Sequence, residues 1–164
     1  MNYTVKDFLP LIIIFILIIL FVAVRQGMYG FDMQNFMYDF MGSFFIIFGA
    51  FKVVNLAGFA NAYSMYDIIA KQSIVYAYIY PFIELALGAA FLMRYQLVLA
   101  NWVTVVLMAV SSIGVASELM QGKEIVCACL GAVFKIPMTY VTLAEDILMG
   151  LMALGMLIQY YFFI

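Results

Sequence analysis

Long apolar segments separated by short polar ones dominate the chain. A helix that crosses a bilayer needs about 20 consecutive apolar residues, and five segments approach or reach that length. The last one also begins with the Thr-X-X-Glu spacing of a capping box, at Thr142 and Glu145. The pattern predicts five transmembrane helices over residues 8–24, 40–60, 73–93, 97–120 and 143–164.

The first apolar segment consists mainly of Ile, Leu, Phe and Val, which predicts a helix that faces lipid at the periphery of a bundle. It lacks the cleavage site of a signal peptide, so we expect it to stay in the mature chain. The next residues, 26–39, mix aromatic and acidic side chains and predict a short interfacial helix or loop. We therefore divide the chain into an N-terminal part, 1–39, and a four-helix membrane domain, 40–164.

Composition agrees with this pattern, since 69% of the 164 residues are hydrophobic and 10% are charged. The prediction is an all-α, polytopic helical bundle with lipid as its solvent. The net charge of −2, without a run of either sign, argues against a nucleic-acid partner. The chain has no histidine, which excludes His-ligated haem, His-based zinc sites and Ser-His-Asp triads.

Two charged residues lie inside apolar segments, Lys52 in the second and Glu84 in the third. Counted from the connection between these helices, they lie roughly 12 and 16 Å deep, which permits an ion pair. Tyr76 and Tyr80 share a helical face with Glu84, and Asn55 shares one with Lys52. This intramembrane polar network either fixes the register of the helices or provides a pathway for a proton, an ion or a quinone.

The fourth segment carries a stripe of residues at alternating spacings of three and four, which predicts a face turned toward other helices. Its last member, Glu118, is expected on the same membrane side as the two cysteines. It is either a proton acceptor during thiol chemistry or a carboxylate that reaches the interface. The stripe comprises Asn101, Thr104, Met108, Ser111, Val115 and Glu118.

The chain has two cysteines, Cys127 and Cys129, in the polar connection before the last helix. Thiols separated by one residue can close a small, strained disulfide that is easily reduced, which favours thiol-disulfide exchange. The same spacing offers two soft thiolates to Cu(I) or another thiophilic ion. In a third interpretation the cysteines are small hydrophobic residues near the membrane. Lys123 or Lys135 would lower the pKa of a nearby thiol.

These features together resemble the DoxX-like membrane proteins, and specifically the methylamine-utilisation MauE family of redox-associated proteins. The resemblance rests on Gly49-Ala50-Phe51-Lys52, on Glu84 with Gly88, and on Cys127-Ala128-Cys129-Leu130-Gly131. The last stretch is similar to the family's Cys-Gly-Cys-Phe-Gly motif, with Ala and Leu at the second and fourth positions.

The resemblance implies a four-helix core, to which the first helix is an addition, in the bacterial cytoplasmic membrane. It also implies thiol-disulfide chemistry or maturation of a partner protein, alongside a thioredoxin-like protein. On this interpretation the chain is a component of a thiol-disulfide oxidoreductase, and it contains no cofactor motif. Two alternatives stay open: a permease or handling protein for a copper- or mercury-like ion, and a non-catalytic scaffold.

The side of the membrane that bears the cysteines is also open. The positive-inside rule favours the cytoplasm, whereas the periplasmic partner implied by the resemblance requires the opposite side. The charges counted are Lys6, Lys71, Lys123 and Lys135 on the cysteine side, against Arg25 and Arg94.

Overall fold

The computed structural model of the protein describes residues 9–121, 126–127, 136–137 and 140–162. Within this part of the chain, six helices and one pair of two-residue strands follow one another, so the fold class is all-α as predicted. The elements are α1 (Leu9–Tyr29), α2 (Met33–Val54), α3 (Leu56–Tyr63), α4 (Ile74–Leu92), α5 (Leu97–Met120), β1 (Val126–Cys127), β2 (Ile136–Pro137) and α6 (Tyr140–Phe162).

Five of these helices are long and apolar enough to cross a membrane, namely all except α3. Helix α3 has 8 residues, which span only about 12 Å at the α-helical rise. The five spans occur in the predicted order and confirm the five-helix bundle. The chain is therefore an integral membrane protein.

The prediction of a separate interfacial segment over residues 26–39 is wrong. Helix α1 continues to Tyr29, and α2 already begins at Met33. The side chain of Asp32 explains this early start, because it accepts a hydrogen bond from the backbone N–H of Asn35 at 3.1 Å and caps the helix. The domain boundary predicted at residue 40 falls inside α2, and the two-domain division stays a prediction.

The second membrane helix also ends earlier than the predicted residue 60. Asn55 breaks the helix: it follows the last residue of α2 and is the N-cap of α3. Its side chain accepts a hydrogen bond from the backbone N–H of Gly58 at 3.1 Å. The chain thereby leaves the axis of α2 and continues as the short helix α3.

Helices α2 and α4 pack closely because two glycines face each other. A Cβ atom on Gly88 would lie 2.9 Å from the backbone nitrogen of Ile46 and 3.0 Å from the carbonyl oxygen of Gly42. Side chains larger than hydrogen would push the two backbones apart, as expected where small residues line a membrane helix contact. This close packing aligns Lys52 of α2 with Glu84 of α4.

Helix α1 lies at the periphery, as predicted. It packs on α2 through Phe15, whose ring lies 6.0 to 6.4 Å from the rings of Phe40, Phe44 and Phe48. The opposite face of α1 is an exposed apolar surface for lipid. Among its exposed residues are Ile12, Ile13, Ile16, Leu17, Ile19 and Leu20.

Helix α5 pairs with α6, and α4 lies beside α5 to join the two halves of the bundle. The predicted stripe on α5 is confirmed, because every member is buried in this bundle: Asn101, Thr104, Met108, Ser111, Val115 and Glu118 are at most 5% exposed.

Candidate functional site

The predicted ion pair between Lys52 and Glu84 is confirmed. The Lys52 Nζ atom donates to both carboxylate oxygens of Glu84, at 2.5 and 2.7 Å, and both side chains are buried. The same ammonium lies 5.0 Å from the ring centre of Tyr80 and 5.5 Å from that of Phe59. A carboxylate and two aromatic faces thus stabilise a lysine that would be costly to bury alone.

The loop after α3 closes this part of the bundle through the buried residue Asp67. Its carboxylate accepts hydrogen bonds from the Tyr63 hydroxyl at 2.9 Å and from the backbone N–H groups of Ile69 and Ala70 at 3.0 and 2.8 Å. Burial, with the nearby Tyr80 and Asp67, raises the pKa of Tyr63 well above its usual value of 10.0. The phenol therefore stays neutral and donates a hydrogen bond to Asp67.

Two further acids, Glu145 and Asp146 of α6, face the same region. Asp146 accepts a hydrogen bond from the Ser111 hydroxyl of α5 at 2.7 Å. The expected capping box of Thr142 and Glu145 is wrong, because α6 begins at Tyr140 and has no acidic residue in its first turn. Thr142 and Glu145 are instead buried inside the bundle.

These groups surround a cavity of about 30 Å³ between α2, α4, α5 and α6. That volume is above the roughly 10–15 Å³ that one water molecule needs, so the cavity has room for a water molecule or a small ion. The wall combines charged and hydroxyl groups with aromatic rings. Its charged or hydroxyl-bearing members are Lys52, Tyr63, Tyr66, Tyr80, Glu84, Ser111, Thr142, Glu145 and Asp146.

Two members of the predicted polar network lie outside this cavity. Asn55 is exposed at the break between α2 and α3, so its assignment to the network is wrong; its amide caps a helix instead. Tyr76 is half-buried, and its ring packs 5.9 Å from that of Tyr80 and 6.4 Å from that of Tyr63. Of the predicted network, Lys52, Tyr80 and Glu84 line the cavity. A functional role of this network stays a prediction.

The structure also gives Glu118 a partner that the sequence reasoning missed. Lys71, in the loop before α4, forms an ion pair with Glu118 at 2.5 Å. The Glu118 side chain is buried, whereas that of Lys71 is 40% exposed. In the sequence, the only indication of this ion pair is that Lys71 and Glu118 are both expected on the membrane side of the cysteines. The role of Glu118 as a proton acceptor stays a prediction.

Cys127 belongs to β1, which pairs with β2 in antiparallel register, with Cys127 opposite Ile136. Strand β1 also contacts α3. The side chain of Cys127 and the whole of Cys129 lie outside the described residues, as do Lys123 and Lys135. The backbone therefore places Cys127 at the end of the bundle where α3 lies.

A second charged cluster lies at the opposite end of the bundle. No chemical role was predicted for it from the sequence. Asp39 is buried, and it pairs with Arg94 at 2.7 Å and with Arg25 at 3.5 Å. Arg94 also donates to the carbonyl oxygen of Phe91 at 2.6 Å. These contacts join α1, α2 and the end of α4, which makes the cluster a tie between the peripheral helix and the core.

The five spans, the buried charged cavity and the position of β1 at one end of the bundle define the class: a polytopic α-helical membrane protein with a polar core. The family model described as methylamine utilisation protein MauE matches residues 33–159. The chain belongs to this family, which confirms that part of the resemblance. The wider resemblance to DoxX-like proteins stays a prediction. Comparisons with curated proteins and with solved structures gave no match.

Proposed function

We propose that this membrane protein takes part in thiol-disulfide exchange with a partner protein, or in its maturation, through Cys127 and Cys129. The observation that carries the proposal is the position of β1, which contains Cys127 and contacts α3 between the ends of two membrane spans. A segment at this edge is within reach of a protein in the aqueous phase. Membership of the MauE family is consistent with a redox-associated role.

The proposed exchange needs a partner that carries a disulfide. One thiolate of the dithiol attacks a sulfur of that disulfide, which forms a mixed disulfide and releases the first partner thiol. The second thiolate attacks the mixed disulfide, closes the bridge between Cys127 and Cys129 and releases the second partner thiol. Two electrons pass from the dithiol to the partner, and the numbers of thiols and disulfides balance.

The dithiol is restored by the reverse reaction with a dithiol protein of the thioredoxin-like class. The bridge then accepts two electrons, and the thioredoxin-like protein becomes oxidised. The reduction potentials of the two partners set the direction of this exchange.

Thiol trapping in intact cells tests the proposal. A mass-tagging reagent, used with and without a membrane-impermeant blocker, reports the redox state of Cys127 and Cys129 and their exposure. Since the chain has only 2 cysteines, the double variant Cys127→Ser/Cys129→Ser is a thiol-free control. We expect a reducible bridge in the unaltered protein, with reduced thiols that the blocker reaches, and a trapped mixed disulfide with one of the single variants.

Two results would contradict the exchange. Permanently reduced thiols that the blocker does not reach would favour handling of a soft metal ion or a structural role. Full function of the double variant would leave a scaffold as the remaining interpretation, because neither exchange nor thiolate ligation survives the loss of both sulfurs.

A further inference from the structure

The cavity between α2, α4, α5 and α6 has an excess of negative groups. Among the described residues that line it, Lys52 is the only cation, and it faces the carboxyl groups of Glu84, Glu145 and Asp146. An uncompensated carboxylate inside a bilayer is energetically costly. One ammonium cannot compensate three carboxylates.

The hydrogen bonds show which acids lack compensation. Both carboxylate oxygens of Glu84 accept a hydrogen bond from Lys52. Asp146 accepts a neutral hydrogen bond from Ser111. Glu145 is only 9% exposed and lines the cavity. Its Oε1 atom is buried and has no hydrogen-bond partner in the described part of the chain.

No further cation approaches from the elements that surround the cavity, within the residues that the structure describes. Helix α3 and the loop after it contribute the phenols of Tyr63 and Tyr66, and the nearby Asp67 is occupied by three donors. Helix α4 adds the phenol of Tyr80 beside Glu84, and α5 adds the hydroxyl of Ser111.

We propose that this cavity binds one monovalent cation, either a proton or Na⁺, at the carboxyl groups of Glu145 and Asp146. The cation would supply one of the two positive charges that the surrounding helices lack. The cavity volume of about 30 Å³ gives room for an ion of this size. Its ligands are hard oxygen atoms, including the hydroxyls of Ser111 and Thr142, which suit H⁺ and Na⁺ better than a soft metal ion.

This site is independent of the proposed thiol exchange, since no sulfur of Cys127 or Cys129 takes part in it. The two proposals therefore fail separately: a thiol-free variant retains the cation site, and a variant of Glu145 retains both cysteines.

The experiment uses the full chain purified in detergent. Infrared spectroscopy at neutral pH detects a protonated carboxyl group by its C=O stretch. Thermal unfolding in Na⁺, compared with choline at equal ionic strength and at several pH values, detects binding of Na⁺. The test variants are Glu145→Gln and Asp146→Asn. The matched control is Asp32→Asn, which removes an exposed carboxylate from the N-cap of α2, a position where Asn is also a favourable residue.

If the ligand is a proton, the carboxyl band is present in the unaltered protein, absent in Glu145→Gln or Asp146→Asn, and retained in Asp32→Asn. If the ligand is Na⁺, this ion raises the unfolding temperature, and the concentration needed rises as the pH falls, because protons compete for the same oxygens. Both effects then disappear in the α6 variants.

The proposal is overturned if the unaltered protein shows neither the carboxyl band nor an Na⁺-specific shift. It is also overturned if the observed signal persists in both Glu145→Gln and Asp146→Asn. The measurement on the unaltered protein needs no variant, so the proposal stays testable even if a substitution prevents folding.

Discussion

Replacement of Lys52 by methionine is expected to destabilise the bundle more than replacement of its partner Glu84 by glutamine. The substitution Lys52→Met keeps the length of the side chain but removes two charge-assisted hydrogen bonds, of 2.5 and 2.7 Å, from a carboxylate that is 2% exposed. Loss of one member of a buried ion pair costs about 3–5 kcal/mol. We expect a loss in this range, since no other described cation lines the cavity.

Glu84→Gln should cost less, about 1–3 kcal/mol, because the amide oxygen still accepts a hydrogen bond from Lys52. In this variant the Lys52 ammonium still shares the cavity with two carboxyl groups, those of Glu145 and Asp146. The double variant Lys52→Met/Glu84→Gln has neither buried charge of the pair. We therefore expect it to be more stable than the sum of the single losses predicts, by at least about 2 kcal/mol.

The assay is equilibrium unfolding by a denaturing detergent of the purified protein in mild detergent micelles, followed by circular dichroism. The four proteins of the double-mutant cycle are measured together, with Asp32→Asn as the control for loss of an exposed charge. A coupling free energy near zero, or a Lys52→Met variant as stable as Asp32→Asn, would refute the assignment of this pair as the main electrostatic contact of the core.

Two further predictions concern backbone packing and pH. Gly88→Ala should destabilise the bundle by about 1–3 kcal/mol, because its Cβ would lie 2.9 Å from a backbone nitrogen of α2. The control Gly155→Ala would place a Cβ with nothing within 4 Å, so it should be neutral or slightly stabilising in the same unfolding assay. The stability that the Tyr63 proton contributes should be fully present below pH 10.0 and be lost as the pH rises through the raised pKa, since the folded state holds this proton more tightly. Tyr63→Phe should make that decline shallower, and an unchanged decline in thermal unfolding against pH would contradict the assignment.

Much of the fold follows from the sequence, because a bilayer imposes a length and a composition on each helix that crosses it. The five spans and the buried stripe on α5 are visible as periodic patterns. The pairing of Lys52 with Glu84 follows from their similar depths in consecutive antiparallel membrane spans. The errors lie at helix ends: Asp32 and Asn55 are cap residues whose effect is local and gives no signal in hydropathy.

The sequence by itself determined that this is a five-helix membrane protein with a charged pair in its core, since burying a charge in lipid demands a partner. Only the tertiary structure decided which helices surround that pair. The rotation of α6 about its axis turns Glu145 and Asp146 into the cavity, and the fold of the loop before α4 brings Lys71 to Glu118. Contacts between residues far apart in the chain depend on helix rotation and neighbour choice, which a one-dimensional pattern does not specify.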